Sequence, residues 1–427
     1  MMNNNGRLIG ISAAIAAVVL TLLAWWNPGQ LIRWGANQTP PAQYQAPELV
    51  STPGHRAFLP QLESDKAGGM HLVWVELDGQ KGSALFYRHW ANGQWSELQK
   101  ITTSHFFPVS VSLATDSTGR PHVVFGTKTG EMRHAYYMRP VGQNTKEWTN
   151  PLSVVYGTNP HFNPKLVIDP QDTMHLALQI TSGHNSAIAY RQSLPGAATT
   201  TGETQRALWN DAEVVTQPVP TATFWMPHLS TTPSGQALMT YFMIQKGGGQ
   251  VQFTRRAINA ATWSEPVVIM PEQWGNTRPM VVAAGNNLHV VWEDVTREGR
   301  FVYHSTATAA EATTPGGWSD PEEISNSDHL GYDSALMTLS DGQVALVWYE
   351  EVKEEGNVTW MNVWHNGDWK DPVRLSWNEE NALGASLTEV NGQLFAAWSH
   401  KPSYEQSEVH FTPLAPLLPS GYLVESR

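Results

Sequence analysis

A period of about fifty residues runs through this chain, and few folds accommodate it. Each unit is too short to bury its own apolar face and must stack on neighbours, in a solenoid or a radial array. Two rulers carry the period. One is a tryptophan followed closely by proline or an acidic residue and then apolar residues, at Trp95, Trp148, Trp209, Trp263, Trp318 and Trp369, spaced 53, 61, 54, 55 and 51 residues apart. The other lies upstream in each unit, a short apolar strand beginning at Met70, Pro121, Met174, Ala237, Leu288, Val344 and Leu394, the Ala237 copy being the divergent one. Turns such as Asn92-Gly93 and Asn366-Gly367 suit tight hairpins. Each unit therefore predicts four short antiparallel strands.

Seven upstream strands face only six tryptophans. The last unit, from about Ala382, ends without its tryptophan strand, while Tyr44 stands 51 residues ahead of Trp95. The segment Tyr44 to Val50 is expected to supply the outer strand of the last blade and close the ring, leaving only short protected edges. The predicted architecture is an all-β, seven-bladed β-propeller of four-stranded blades over residues 44–427, with six blades or an open solenoid as alternatives.

Composition narrows function. With 41% hydrophobic and 15% charged residues and a net charge of −12, disorder and generic nucleic-acid binding are disfavoured, and a neutral or cationic partner suits the chain better than a polyanion. The absence of cysteine excludes disulfides, thiolate catalysis and Cys-based metal sites. No P-loop, dinucleotide fingerprint, HExxH or nucleophile elbow occurs, and no cofactor or metal is expected.

Residues 8–26, LIGISAAIAAVVLTLLAWW, carry no charge and are long enough to span a bilayer as a helix. Residues 1–26 are expected to be an uncleaved membrane anchor, a cleavable signal being the alternative, and residues 27–43 a linker rich in turn formers. Arg7 before the segment leans toward an extracytoplasmic body.

The H-[LV]-V-W strands, the Tyr-Arg strand at Tyr87-Arg88 and the N-G-x-W turns together resemble BNR or sialidase-like propeller repeats over roughly residues 44–413. Two departures stand out: the turns HWANGQW and VWHNGDW keep only the glycine and tryptophan of the sialidase turn, and the family's R-I-P start to the first blade is replaced by RAFLP. The sialidase arginine triad is therefore not assigned.

In such a blade the start of the first strand and the hairpin between strands 2 and 3 share one face, around the channel. His161 and His184 fall there in the third unit, so the pair suits proton transfer near neutral pH. This unit resembles the histidine-bearing blade of BNR-type polysaccharide lyases, the ulvan lyases. That resemblance implies paired histidines that take the proton α to a uronate and protonate the leaving oxygen, with a Tyr and an Arg for which Tyr241 and Arg255 are the candidates by order. Tyr241 also occupies the position of core residues Trp74 and Trp292, which favours a packing role.

Binding without chemistry is the other reading. Trp225, Trp274, Tyr332 and Trp377 at first-strand starts offer faces for sugar rings, and Arg278, Asp294 and Glu350 offer hydrogen bonds. The run Glu350-Glu351 to Glu354-Glu355 reads as a solvated hairpin tip rather than a calcium loop. His71, His122, His175 and His289 recur at one strand position and are expected to pack. The expected partners are a glycan or cell-envelope protein and, through the N-terminal segment, a membrane.

Overall fold

A computed structural model describes residues 44–423, together with 40 and 42, apart from 78–81, 130–131, 143–144, 155–160, 183–184, 201–208, 217–220, 247, 274–276, 296–298, 326–328, 353–354, 378–380, 402–405 and 420. The expected anchor, residues 1–26, lies outside the described residues, as do His184 and Trp274. Among the described residues no helix is long and apolar enough to cross a membrane.

The described residues form seven antiparallel sheets, each with four strands in radial order and two with a divided outer strand. The innermost strands are Ala57–Ser64, Pro108–Thr115, His161–Ile168, Thr223–Thr231, Thr277–Ala284, Leu330–Thr338 and Ala382–Val390, here numbered as blades 1 to 7. The compact unit they build is Gln45–Arg427. Each second strand is buried on both faces, as its near-continuous apolar run requires: Trp74, Trp292, Trp348 and Trp398 are at most 1% exposed.

Closure occurs where the repeat spacing predicts it. Glu48–Leu49 pairs with Phe411 and His410 of blade 7, and the Val50 amide continues onto the Val409 carbonyl at 2.9 Å. The paired strand is shorter than the expected Tyr44 to Val50 and begins at Glu48.

The recurrent tryptophans bind blades together. Trp148 lies edge-on to Tyr87 of the preceding blade (5.1 Å between ring centres), Trp209 to Tyr137 (5.6 Å), Trp263 to Tyr190 (4.9 Å) and Trp318 to Phe253 (5.3 Å). Trp369 meets His304 of blade 5 in the same way (5.0 Å), and Trp95 of blade 1 meets Phe411 of blade 7 (4.9 Å). Each edge-to-face contact contributes about 0.5–1.5 kcal/mol beyond its buried area.

Innermost strands leave one edge without a sheet partner, and side chains of the neighbouring blade fill the gap. Ser386 Oγ accepts the Leu62 amide (3.0 Å), Ser112 Oγ the Leu166 amide (3.0 Å) and His228 Nδ1 the Val281 amide (3.3 Å). Buried donors are thereby satisfied without a further strand. Two of the recurrent histidines are also structural. His122 bridges Asp116 (3.3 Å) and Tyr137 Oη (2.7 Å), His175 bridges Asp169 (3.1 Å) and Tyr190 Oη (2.6 Å), and both are buried.

Candidate binding site at the channel mouth

All seven innermost strands slip register against their second strands shortly after they begin. In six blades the bulge holds a residue of positive φ: Leu59, Asn163, Met226, Arg278, Asp333 and Gly384. In four of these the next residue is a proline (60, 164, 227 or 279), which has no amide to give to the ladder. Blade 2 departs, its positive φ falling earlier, at Phe107. The bulges lie near the start of each innermost strand, at the end remote from the turn into the second strand.

The rim is divided in character. Blades 1 and 2 present Leu59, Phe107 and Val109, each about two-fifths exposed, and blade 4 presents Trp225, 37% exposed. Blades 5 and 6 present charge. Arg278 and Asp333, the bulge residues of these adjacent blades, form an ion pair with side chains 45% and 25% exposed. Behind them Arg300 is ion-paired to the fully buried Glu293, and its guanidinium stands 4.6 Å from the centre of the Tyr332 ring. Glu293 also accepts the Ser334 amide (3.4 Å). Tyr332 in turn stacks on Tyr349 at 5.2 Å and 16°. Burial, reinforced by the Glu293 charge, pushes the Tyr349 phenol up to about 12, the two arginines opposing. Trp225, Thr277 and Tyr332 share one register, each directly before its bulge residue, so an exposed indole and a phenol flank the Arg278 position on consecutive blades.

A second motif lies below the rim. Glu76 accepts Trp74 Nε1 (3.0 Å) and meets His55 Nδ1 (2.9 Å); Glu350 accepts Trp348 Nε1 (2.9 Å) and meets His329 Nδ1 (3.0 Å). Glu350 is thus drawn into the sheet, 2% exposed, and does not belong to a solvated hairpin tip. The physical reason is the paired indole and imidazole donors that await its carboxylate. Of the remaining run, Glu351 is exposed, Glu355 pairs with Arg374 (2.7 Å) and Glu354 lies outside the described residues. Blade 5 has Asp294 at the equivalent position, fully buried. Neither oxygen has a partner of good geometry among the described residues, and Trp292 Nε1 is likewise unpartnered. Burial raises this carboxyl to about 6, against the pull of the Val295 amide.

The other anticipated residues are dispersed. His161 opens the innermost strand of blade 3, its backbone paired with Ile180. Tyr241 is fully buried in a cluster with Phe224 and Leu229. The Arg255 guanidinium reaches the Ala309 carbonyl and Thr313 Oγ1 of blade 5, at the end of its strand remote from the mouth. Trp377 is 5% exposed, with the Arg374 guanidinium 4.6 Å from its ring centre. Sequence reasoning missed Arg300, Glu293 and Tyr349. The signal for Glu293 and Tyr349 was their place beside the core tryptophans Trp292 and Trp348, where a polar side chain needs a partner.

The innermost strands also enclose a channel cavity of about 760 Å³, lined among others by Glu63, Lys165, His228 and Ser386. Enclosure raises Glu63 to about 7, the Lys66 and Lys165 charges opposing, and lowers Lys165 and His228.

No known protein family and no curated protein matches the sequence. Solved structures do share its fold. A PL25 ulvan lyase superposes with a TM-score of 0.62 at 11% identity, over 86% of this chain and 96% of the lyase. A Dyadobacter fermentans protein of unknown function superposes at 0.53 and 10% identity, over 87% of this chain and 98% of that one. Trypanosoma rangeli sialidase follows at 0.45 and 11% identity, over 89% of this chain and 58% of the sialidase. The chain thus has the fold of the ulvan-lyase propeller.

Proposed function

We propose that this propeller binds a glycan at its channel mouth, with a sugar ring stacked on Trp225 and hydroxyl groups bonded to the Arg278–Asp333 pair beside Tyr332. The observation that carries this reading is the register: two aromatic side chains and a half-exposed, charge-balanced arginine–aspartate pair follow one another on blades 4, 5 and 6. A paired guanidinium and carboxylate offers donors and acceptors together, which suits hydroxyls, while an aromatic face suits the apolar side of a sugar ring. In this reading the charge-free segment 8–26 holds the propeller at a membrane, on the extracytoplasmic side. A glycan array probed with the full-length chain, followed by titration calorimetry on any hit, tests the proposal. Trp225→Ala and Arg278→Ala should each weaken binding at least about tenfold, an order of 1.4 kcal/mol. Unchanged affinity in both variants overturns it.

A second reading, a polysaccharide lyase acting through His161 and His184, is favoured by the likeness to the ulvan lyase, which covers nearly all of that protein. Its test is the absorbance of unsaturated uronate ends on incubation with uronate polysaccharides. Activity that survives in a His161→Ala/His184→Ala double variant excludes this pair as the catalytic groups.

A further inference from the structure

On the face opposite the mouth, the turns between strands 1 and 2 carry Asp65, Asp116 and Asp169 in blades 1 to 3, each followed by the recurrent histidine of the second strand. In blades 2 and 3 that histidine is closed off, one nitrogen on the aspartate and the other on a tyrosine hydroxyl. Blade 1 is built differently. There His89, from the third strand, takes Asp65 Oδ2 at 2.9 Å, and its ring stacks on His71 at 4.6 Å. His71 keeps its tyrosine contact, Nδ1 to Tyr87 Oη at 2.7 Å, but its Nε2 turns to the Gly119 carbonyl at 2.8 Å. One donor atom from each of Asp65, His71 and His89 lies within 4.8 Å of the others.

Two further features keep this cluster open. A cavity of about 470 Å³ lies beside it, lined also by Thr118, Arg120 and Thr145. Gly69 stands against it, and a Cβ there would collide with Asp65 Oδ2 and press on His89 Nε2.

We propose that Asp65, His71 and His89 bind a divalent ion of the zinc class, leaving a coordination position open to the cavity. Two imidazoles and one carboxylate form the three-ligand set of open zinc sites. Asp65 is prepared for the task, because its Oδ1 is held by the Ala67 and Gly69 amides (2.8 and 2.7 Å), which leaves Oδ2 as the ligand oxygen. Binding through His71 Nε2 moves that ring's proton to Nδ1, from which it donates to Tyr87 Oη. The hydroxyl then fixes the ring, as partners behind a ligating histidine commonly do. The bond to the Gly119 carbonyl is given up in exchange.

The test is a Co²⁺ titration of the full-length chain, purified without a polyhistidine tag and stripped with a chelator, followed by its visible absorption. One equivalent should bind with visible bands and be displaced by Zn²⁺. His89→Ala should weaken binding by at least about 100-fold and Tyr87→Phe by about tenfold, while His55→Ala on the other face leaves it unchanged. Far-UV circular dichroism checks each variant; if His89→Ala does not fold, His89→Gln, which keeps a donor toward Asp65, replaces it. A wild-type chain that gives no visible band, or a folded His89 variant with wild-type affinity, overturns the proposal.

Discussion

Trp95 of blade 1 stands edge-on to Phe411 of blade 7, 4.9 Å between ring centres, although 316 residues of chain separate them. The contact repeats at the closing point what five other tryptophans do between neighbouring blades. Beside it, Phe411 also pairs through its backbone with Glu48. The ring is therefore closed by a two-residue strand, continued by the Val50 amide, together with the aromatic contacts of Trp95 with Phe411 and of Trp90 with Phe395.

The seam can be locked. Leu49 and His410 are directly opposed in this ladder, and the chain contains no cysteine to compete. A Leu49→Cys/His410→Cys double variant should form a disulfide under oxidising conditions and stabilise the propeller by about 2–4 kcal/mol. Thermal melts with and without reductant check this: the oxidised variant should melt above its reduced form.

Asp294 gives a pH signature of its own. Its carboxyl is raised to about 6 in the fold against about 4 in the unfolded chain. Folding therefore opposes ionisation, so the penalty is absent below pH 4, grows through the interval and is complete above pH 6. Two pH units correspond to about 3 kcal/mol. Relative to wild type, Asp294→Asn should gain roughly that much between pH 4 and pH 8 in denaturant titrations. A constant difference across the range would contradict the burial argument.

The imidazoles act in the opposite sense. Burial pulls His122 and His289 down to about 4 and His304, next to His289, to about 3. Their stabilising effect is complete above the unfolded value near 6.5 and is lost as pH falls toward 4, because only the unfolded chain takes up the protons. The Tm should fall between pH 7 and pH 4.5. His304→Gln should flatten that fall, since Gln does not titrate.

At the mouth, charge balance predicts weak salt dependence. Arg278 and Arg300 are each paired with a carboxylate, so a glycan bound there should keep its Kd within about twofold between about 50 and about 500 mM NaCl. A Kd that rises tenfold or more over that range would mean that net positive charge, not hydrogen bonding, holds the ligand.

The blade count and the closing strand were legible because they depend on spacing alone: the repeat of Trp95 through Trp369 and the offset of Tyr44. The role of those tryptophans was less so, since they pack on the preceding blade, which no pattern within one unit reveals. The rim bulges ran against a local rule. A residue before proline is steered toward extended conformations, so Phe58-Leu59-Pro60 and Trp225-Met226-Pro227 read as plain strand although Leu59 and Met226 have positive φ. Glu350 looked solvated because charge runs usually are. Its burial depends on Trp348 in its own strand and on His329, 21 residues away, meeting in space.

The bulges have a consequence for how such a protein changes over time. Leu62, Leu113, Leu166, Leu229, Val281, Leu336 and Leu387, just beyond the register slips, are all at least nine-tenths buried. The residue at the slip itself ranges from glycine to arginine without disturbing them. Specificity can therefore drift at these positions while the architecture stays put, much as type can be changed in a fixed frame.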